Sequence, residues 1–341
     1  MMRANAPRDG PDFHLMIDYT TLLRQSFEGR SVLVTGGAGF VGSQVSGRLL
    51  QLGAKVTILD DFTTGREELV PPAAELVRGS VTDMPLVSKL AAESDYLIHM
   101  AARVLASSTN DLHSDSAVNI GGMINVLSAA RDHAATLKRV VYTSTTSIYG
   151  NARALPIHED EKPNILSPYA ASKFAAESYC NVFYEMYGTP VSIVRYSNVY
   201  GPHQSPRNPY CGVISKFFVA CHKGEPMCIH GSGMQTRDFT YIDDAVTATL
   251  LAAVVPRAEG SIFNVGTGVE VNVIHLAEAI DKAAGTTVGY RYIDRRDIDN
   301  VTRRVVNMER ARQILRWVPN VSLDAGLTRT NEWLIQDAAR I

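Results

Sequence analysis

The sequence predicts an α/β fold, a doubly wound parallel sheet with a smaller C-terminal α/β lobe, and three observations predict it. Strand-like and helix-like stretches alternate from Arg30 onward, a glycine-spaced turn follows the first strand, and the second strand ends in a carboxylate. Such alternation demands crossover connections, which cover both faces of a parallel sheet.

The elements follow in order. Residues 1–29 read as an extension ending in a short helix over Tyr19 to Phe27, and the first domain spans residues 30–195. SVLVTG is an apolar run of strand length; a helix over Ser43 to Leu52 and the strand KVTILD follow it. LIHMAA, a helix from Asn119 to His133 and RVVYTS continue the pattern. A proline-rich loop from Ala154 to Pro168 precedes a helix over Tyr169 to Tyr187, and PVSIVRYSNVYG reads as one strand. Residues 196–335 mix short strands (PMCIHG, SIFNVG, TVGYRYI) with helices over Gly212 to Lys223, Val273 to Ala284 and Met308 to Leu315. They are expected to form mainly a substrate-binding lobe, with 236–266 returning to the first domain.

The chain has 341 residues, 45% of them hydrophobic, enough for a large core. Its net charge of -2 comes from 33 basic and 35 acidic residues spread along the sequence, which argues against nucleic acid or an anionic membrane as partner and favours small molecules. The start, MMRANAPRDGPDFHLMIDY, lacks a secretory apolar stretch and no apolar run reaches membrane-spanning length, so the expected compartment is cytoplasmic. Cys180, Cys211, Cys221 and Cys228 form no C-x-x-C pair and are expected as reduced thiols. Cys221, His222, Cys228 and His230 match no usual zinc spacing, and no metal is expected.

SVLVTGGAGFVG places Gly36, Gly39 and Gly42 in the pattern G-x-x-G-x-x-G, after a strand and opening a helix. Glycines permit the tight turn and close approach to a pyrophosphate, and the helix N-terminus offers free N–H groups; the arrangement is Rossmann-like. The second strand ends at Asp60, 18 residues after Gly42, where a carboxylate accepts hydrogen bonds from the adenosine ribose. A carboxylate there repels a 2′-phosphate, and the nearest arginine, Arg66, does not follow closely, so NAD is favoured over NADP. Thr64 and Gly65 of DDFTTG also face the ribose in this reading.

Tyr169 and Lys173 lie four apart on a predicted helix and share one face. With TSTTSIYG before them, the sequence resembles the extended short-chain dehydrogenase/reductases, within them the sugar-nucleotide epimerases and dehydratases related to UDP-galactose 4-epimerase. The matching segments are TGGAGFVG, DDFTTG, HMAAR, NIGG, STTSIYG, SPYAASKFAAE, RYSNVYGP and GSGMQTRDFTYIDD, running from about Arg30 to Trp317.

The resemblance implies that Tyr169, its pKa lowered by Lys173 and the nicotinamide, takes the proton from a sugar hydroxyl while hydride leaves that carbon for bound NAD. It implies that Lys173 holds the nicotinamide ribose and that Thr145 hydrogen-bonds the reacting oxygen. Further cofactor contacts are implied for Phe40, Val41, Asp61, Ser80, Val81, Met100, Ala101, Ala102, Arg103, Asn119, Ser144 and Tyr196. Dehydratases of the 4,6 type carry Asp and Glu in the two places after Thr145, and UDP-glucuronate decarboxylases carry Glu in the second. Here stand Thr146 and Ser147, which points to epimerisation; the hydroxyl-only arrangement resembles the Thr-Ser-Ser of UDP-glucuronate 4-epimerases.

On the substrate side, Asn198 and Arg237 match residues that contact the diphosphate of a UDP-sugar, and His230 is a further candidate. In DRRDIDNV, Arg296 and Asp299 match a phosphate-binding arginine and a ribose-binding carboxylate, with Arg295 or Asp297 as the alternative register. Arg207 is the candidate to meet a sugar carboxylate. Two departures stand out: His203 occupies the place where many relatives have Arg after Gly-Pro, and Ser80 replaces an Asp. Family relatives pair the helices over Asn119–His133 and Tyr169–Tyr187 across a homodimer, and Phe174, Tyr179, Phe183 and Met186 form an apolar stripe that suits either a dimer or the core.

Overall fold

The structure, a computed structural model, describes residues 19–204, 206, 212–295 and 301–338. Its strands are β1 (Ser31–Thr35), β2 (Lys55–Asp60), β3 (Glu75–Arg78), β4 (Tyr96–His99), β5 (Arg139–Thr145), β6 (Val191–Tyr196), β7 (Asn198–Tyr200), β8 (Met227–His230), β9 (Thr236–Arg237), β10 (Phe239–Tyr241), β11 (Ile262–Val265), β12 (Val271–Asn272) and β13 (Tyr290–Ile293). The α-helices are α1 (Tyr19–Phe27), α2 (Phe40–Gln51), α3 (Met84–Ala92), α4 (Leu105–Asn110), α5 (Leu112–Ser116), α6 (Gly122–Asp132), α7 (Pro168–Tyr187), α8 (Val213–Lys223), α9 (Ile242–Val254), α10 (Val273–Ala284) and α11 (Leu323–Ala338).

Seven strands form one parallel sheet in the order β11-β6-β5-β4-β1-β2-β3. Successive side chains of β1 part to opposite faces, as a pleated strand requires: Val32 and Val34 join one core and Leu33 the other. The first core holds α2 and α9, the second α3, α6 and α7, so both faces are covered and the α/β expectation holds. The order reverses between β1 and β4, and ligands bind such sheets in the crevice beyond the strand ends at that switch point.

Four local expectations need correction. Residues 19–27, read as part of an extension, are integral to the core: Leu23 and Phe27 are buried, and Phe27 packs against Tyr96 with ring centroids 5.1 Å apart. The stretch PVSIVRYSNVYG is two strands, because Ser197 turns the chain out of the large sheet and β7 then pairs with β10. The helix expected over Asn119–His133 begins as a π-helical turn, Ala117–Gly121, before α6, and that over Met308–Leu315 is largely a π-helical turn, Ala311–Leu315.

Helix α9 packs on β5 and β6, and β11 forms the edge of the large sheet. Beyond it, β8 pairs in parallel with β13, α8 packs on α10, and α10 on α11. The catalytic-helix candidate, α7, is stopped at both ends: Ser167 accepts the Ala170 N–H at 3.2 Å, Pro168 opens the first turn, and Gly188 closes it at φ 64°.

Candidate active site

The glycine turn between β1 and α2 is built by close approach. Gly36 has φ 73°, and a Cβ there would lie 2.6 Å from the Ala101 backbone nitrogen. A Cβ on Gly42 would lie 2.1 Å from the Gly36 carbonyl oxygen. Gly39 caps α2 with no side-chain acceptor among the described residues, so the helix begins three residues before the expected Ser43 and its first-turn N–H groups are left for a ligand.

Asp60 ties this turn to the end of β2. One carboxylate oxygen accepts the Ala38 N–H at 2.9 Å, the other the Phe62 N–H at 2.8 Å. Burial pushes the carboxyl above its usual range, and those two N–H donors pull it back. Gly65 packs on Asp60 so closely that a Cβ would stand 2.6 Å from its Oδ1. Across the mouth, Arg103 reaches Asp61 at 3.4 Å. The Arg103 backbone is held behind by Asn119, whose Oδ1 accepts its N–H at 2.8 Å and whose Nδ2 donates to its carbonyl at 3.1 Å. Asn119 is buried and also donates to Asp115 and Ser172, so its amide works as a brace under the wall.

These elements enclose a cavity of about 350 Å³. Of the residues expected at the cofactor, Gly36, Gly39, Phe40, Val41, Gly42, Asp60, Asp61 and Thr64 line it, as do Ser80, Val81, Met100, Ala101, Ala102, Arg103, Ser144, Tyr169, Lys173 and Tyr196. Arg66, His203 and Gln204 line it too. Sequence distance had set Arg66 aside; the loop after β2 folds it back, its N–H bonded to the Ala38 carbonyl at 2.9 Å.

At the other end, β5 delivers Thr145 and α7 delivers Tyr169 and Lys173. The Thr145 hydroxyl caps the 3₁₀ turn Thr146–Tyr149, accepting the Ser147 N–H at 3.1 Å. Burial pushes the Tyr169 phenol up to about 12, the nearby Thr145 hydroxyl opposing. The lowering expected from Lys173 therefore does not prevail in the protein's own field: desolvation of a fully buried phenol is the larger effect. Burial likewise drives Lys173 down to about 8, against the pull of Glu177. Glu177 is itself clamped by Arg195 at 2.6 Å, with both side chains buried. Arg195 also donates to the Tyr149 hydroxyl and the Glu159 carbonyl, each at 2.8 Å, so the 3₁₀ turn carrying Thr146 and Ser147 is locked to the helix carrying Tyr169.

Residues 32–266 match the NAD dependent epimerase/dehydratase family, well over half of the chain. The chain belongs to this family. It is 37% identical over 309 residues to a UDP-glucose 4-epimerase of Mycolicibacterium smegmatis, covering 88% of this chain and 97% of that one. The solved structure of an epimerase from Methanothermobacter thermautotrophicus superposes with a TM-score of 0.91 at 33% identity, covering 96% and 98%. A UDP-glucuronic acid 4-epimerase from Bacillus cereus, solved with UDP-glucuronic acid and NAD, has a TM-score of 0.81 at 27% identity, covering 90% and 99%.

As a member of the family, the protein is an NAD-dependent enzyme of sugar nucleotides. Its cavity fits the cofactor on structural grounds. The approaches at Gly36 and Gly42 leave no room for a side chain, the α2 N-terminus is uncapped, and the Ser144 hydroxyl on the cavity wall is buried without a hydrogen-bond partner among the described residues.

The substrate-side candidates are less gathered. Asn198 donates its backbone N–H to Asp238 at 2.9 Å, and Arg237 is buried with Nη1 on the carbonyls of Thr236 and Val301. The His230 ring meets the Asp294 carbonyl at 2.8 Å. Arg207, Arg296 and Asp299 lie outside the described residues, as does Cys211. Cys221 faces Asp281 and His222 faces Asn331, away from one another. No helix among the described residues is long and apolar enough to cross a membrane.

Proposed function

We propose that the enzyme inverts C4 of a UDP-hexose through a transient 4-keto sugar, with UDP-glucuronate as substrate and UDP-galacturonate as product. One observation carries the choice of epimerisation over elimination or decarboxylation. The acidic residues lining the cavity are Asp60 and Asp61, at the end of β2, three strand spacings or roughly 14 Å from β5. Beside Thr145 stand only the hydroxyls of Thr146 and Ser147. Loss of water across C5 and C6 needs an acid and a base beyond the group that serves C4, and among the described residues lining this end no carboxyl group supplies them.

Bound NAD supplies the oxidant and the reductant for C4. Tyr169 removes and returns the proton of the C4 oxygen, and the neighbouring Thr145 hydroxyl holds that oxygen. Lys173, one turn along the same helix and still mostly protonated at pH 7, holds the nicotinamide ribose in this reading. The Glu177–Arg195–Tyr149 lock keeps the two halves of this constellation in register.

The carboxylated sugar is supported by the hydroxyl-only Thr145–Ser147 stretch and by the Bacillus cereus neighbour. UDP-glucose is the second reading, favoured by the 37% identity to the Mycolicibacterium smegmatis enzyme. Separate incubation with UDP-glucuronate, UDP-glucose and UDP-N-acetylglucosamine, with products read by NMR, decides among them. A C4-inverted uronate without loss of water or carbon dioxide supports the proposal; dehydrated or decarboxylated products sink it.

The protein is further proposed to work as a homodimer through α7. The apolar stripe divides: Phe183 is buried in the core, while Tyr179, Val182 and Met186 remain 40%, 40% and 68% exposed on one ridge. A second copy presenting the same ridge covers it by two-fold symmetry.

A further inference from the structure

We propose that Arg66 is a cofactor-binding residue whose free guanidinium edge takes the diphosphate of the dinucleotide opposite the N-terminus of α2. The inference rests on the NAD site described above.

Arg66 is anchored on two sides. Its backbone N–H is bonded to Ala38 in the glycine turn, and its Nε and Nη2 lie 2.8 and 2.5 Å from Glu68 Oε1. The third nitrogen, Nη1, is buried and has no hydrogen-bond partner among the described residues, although Arg66 lines the cavity. A guanidinium fixed along one edge by a carboxylate, with its other edge dry and unpaired, suits phosphate oxygens, which accept such forks through short charge-assisted bonds.

The other cations of the cavity are committed. Arg103 is paired with Asp61 and donates to Ser114, and Lys173 lies one turn along α7 from Tyr169 with its ammonium over the Tyr142 ring. His203, where many relatives have Arg, bonds the Ser43 hydroxyl in the first turn of α2 at 3.0 Å, and burial together with the Arg66 charge holds it toward the neutral form. Arg66 therefore brings to this end of the cavity the positive charge that position 203 lacks. The diphosphate is favoured over a 2′-phosphate because Asp60 stands at the ribose end with its carboxylate bonded to the same Ala38.

The test is calorimetric titration of cofactor-stripped wild type, Arg66→Gln and Arg66→Lys with NAD, NADP, ADP and adenosine. Arg66→Gln should weaken NAD and ADP about 10-fold or more, leave adenosine within about two-fold, and flatten the salt dependence of ADP binding. Arg66→Lys should recover part of the loss, keeping the charge but not the fork. Unchanged binding of NAD and ADP overturns the proposal. So does equal weakening of adenosine, which means a collapsed loop, and so does a wild-type preference for NADP that Arg66→Gln abolishes. A wild type that binds none of the four overturns the NAD reading itself, an outcome separate from wild-type binding with an indifferent variant.

Discussion

The ammonium nitrogen of Lys173 lies 4.3 Å from the centroid of the Tyr142 ring. His99, the register partner of Tyr142 on the neighbouring strand, stacks on the same ring at 5.9 Å and is pushed down to about 3 by burial and then by Lys173, so this neighbour of the lysine is uncharged. The aromatic face offers the cation a partner that needs no counter-charge of its own.

This burial has a measurable cost. With Lys173 held down to about 8 from 10.5, the unfolded chain binds a proton between those values that the folded protein does not. Stability from this residue therefore rises with pH across about 8 to 10.5, and its penalty is complete below pH 8. Cofactor-free Lys173→Met should be more stable than wild type at pH 7, by on the order of 3 kcal/mol, with the gap closing toward pH 10.5. Denaturant unfolding at pH 7, 8, 9 and 10 reads it; a gap independent of pH refutes the account.

Tyr169→Phe should keep its NAD and lose turnover by roughly 10²–10⁴-fold, since in the proposed mechanism the phenol moves the proton and the ring only fills space. Cofactor content of the purified variant, measured beside its rate, checks both halves. Undiminished turnover removes Tyr169 from the chemistry.

Two glycines of α2 should behave oppositely. A Cβ on Gly42 meets the Gly36 carbonyl, so Gly42→Ala should purify without NAD and melt lower. A Cβ on Gly47 meets nothing within 4 Å, so Gly47→Ala should retain NAD and gain up to about 1 kcal/mol. Equal behaviour of the two would contradict the close packing of the turn.

Val182→Glu and Met186→Glu place charge on the exposed ridge of α7 and should convert a dimer to monomers at unchanged melting of the fold. Light scattering measures the mass. A wild type that is already monomeric, or variants that stay dimeric, dismiss the α7 interface.

What the sequence determined by itself was local or periodic. The alternation of strands and helices, the glycine spacing at Gly36, Gly39 and Gly42, the carboxylate at Asp60 and the Tyr169–Lys173 spacing are set by neighbours a few residues apart, where backbone sterics and helical geometry act. The tertiary structure decided what depends on residues distant in the chain. It folded Arg66 back to Ala38, drew Tyr19–Phe27 into the core, and set Glu177 against Arg195. It also separated Phe183, which packs inward, from Met186, which does not, although both are apolar residues of one helix. The pKa of Tyr169 belongs to the same class, because the amount of water removed from a phenol is a property of everything packed around it.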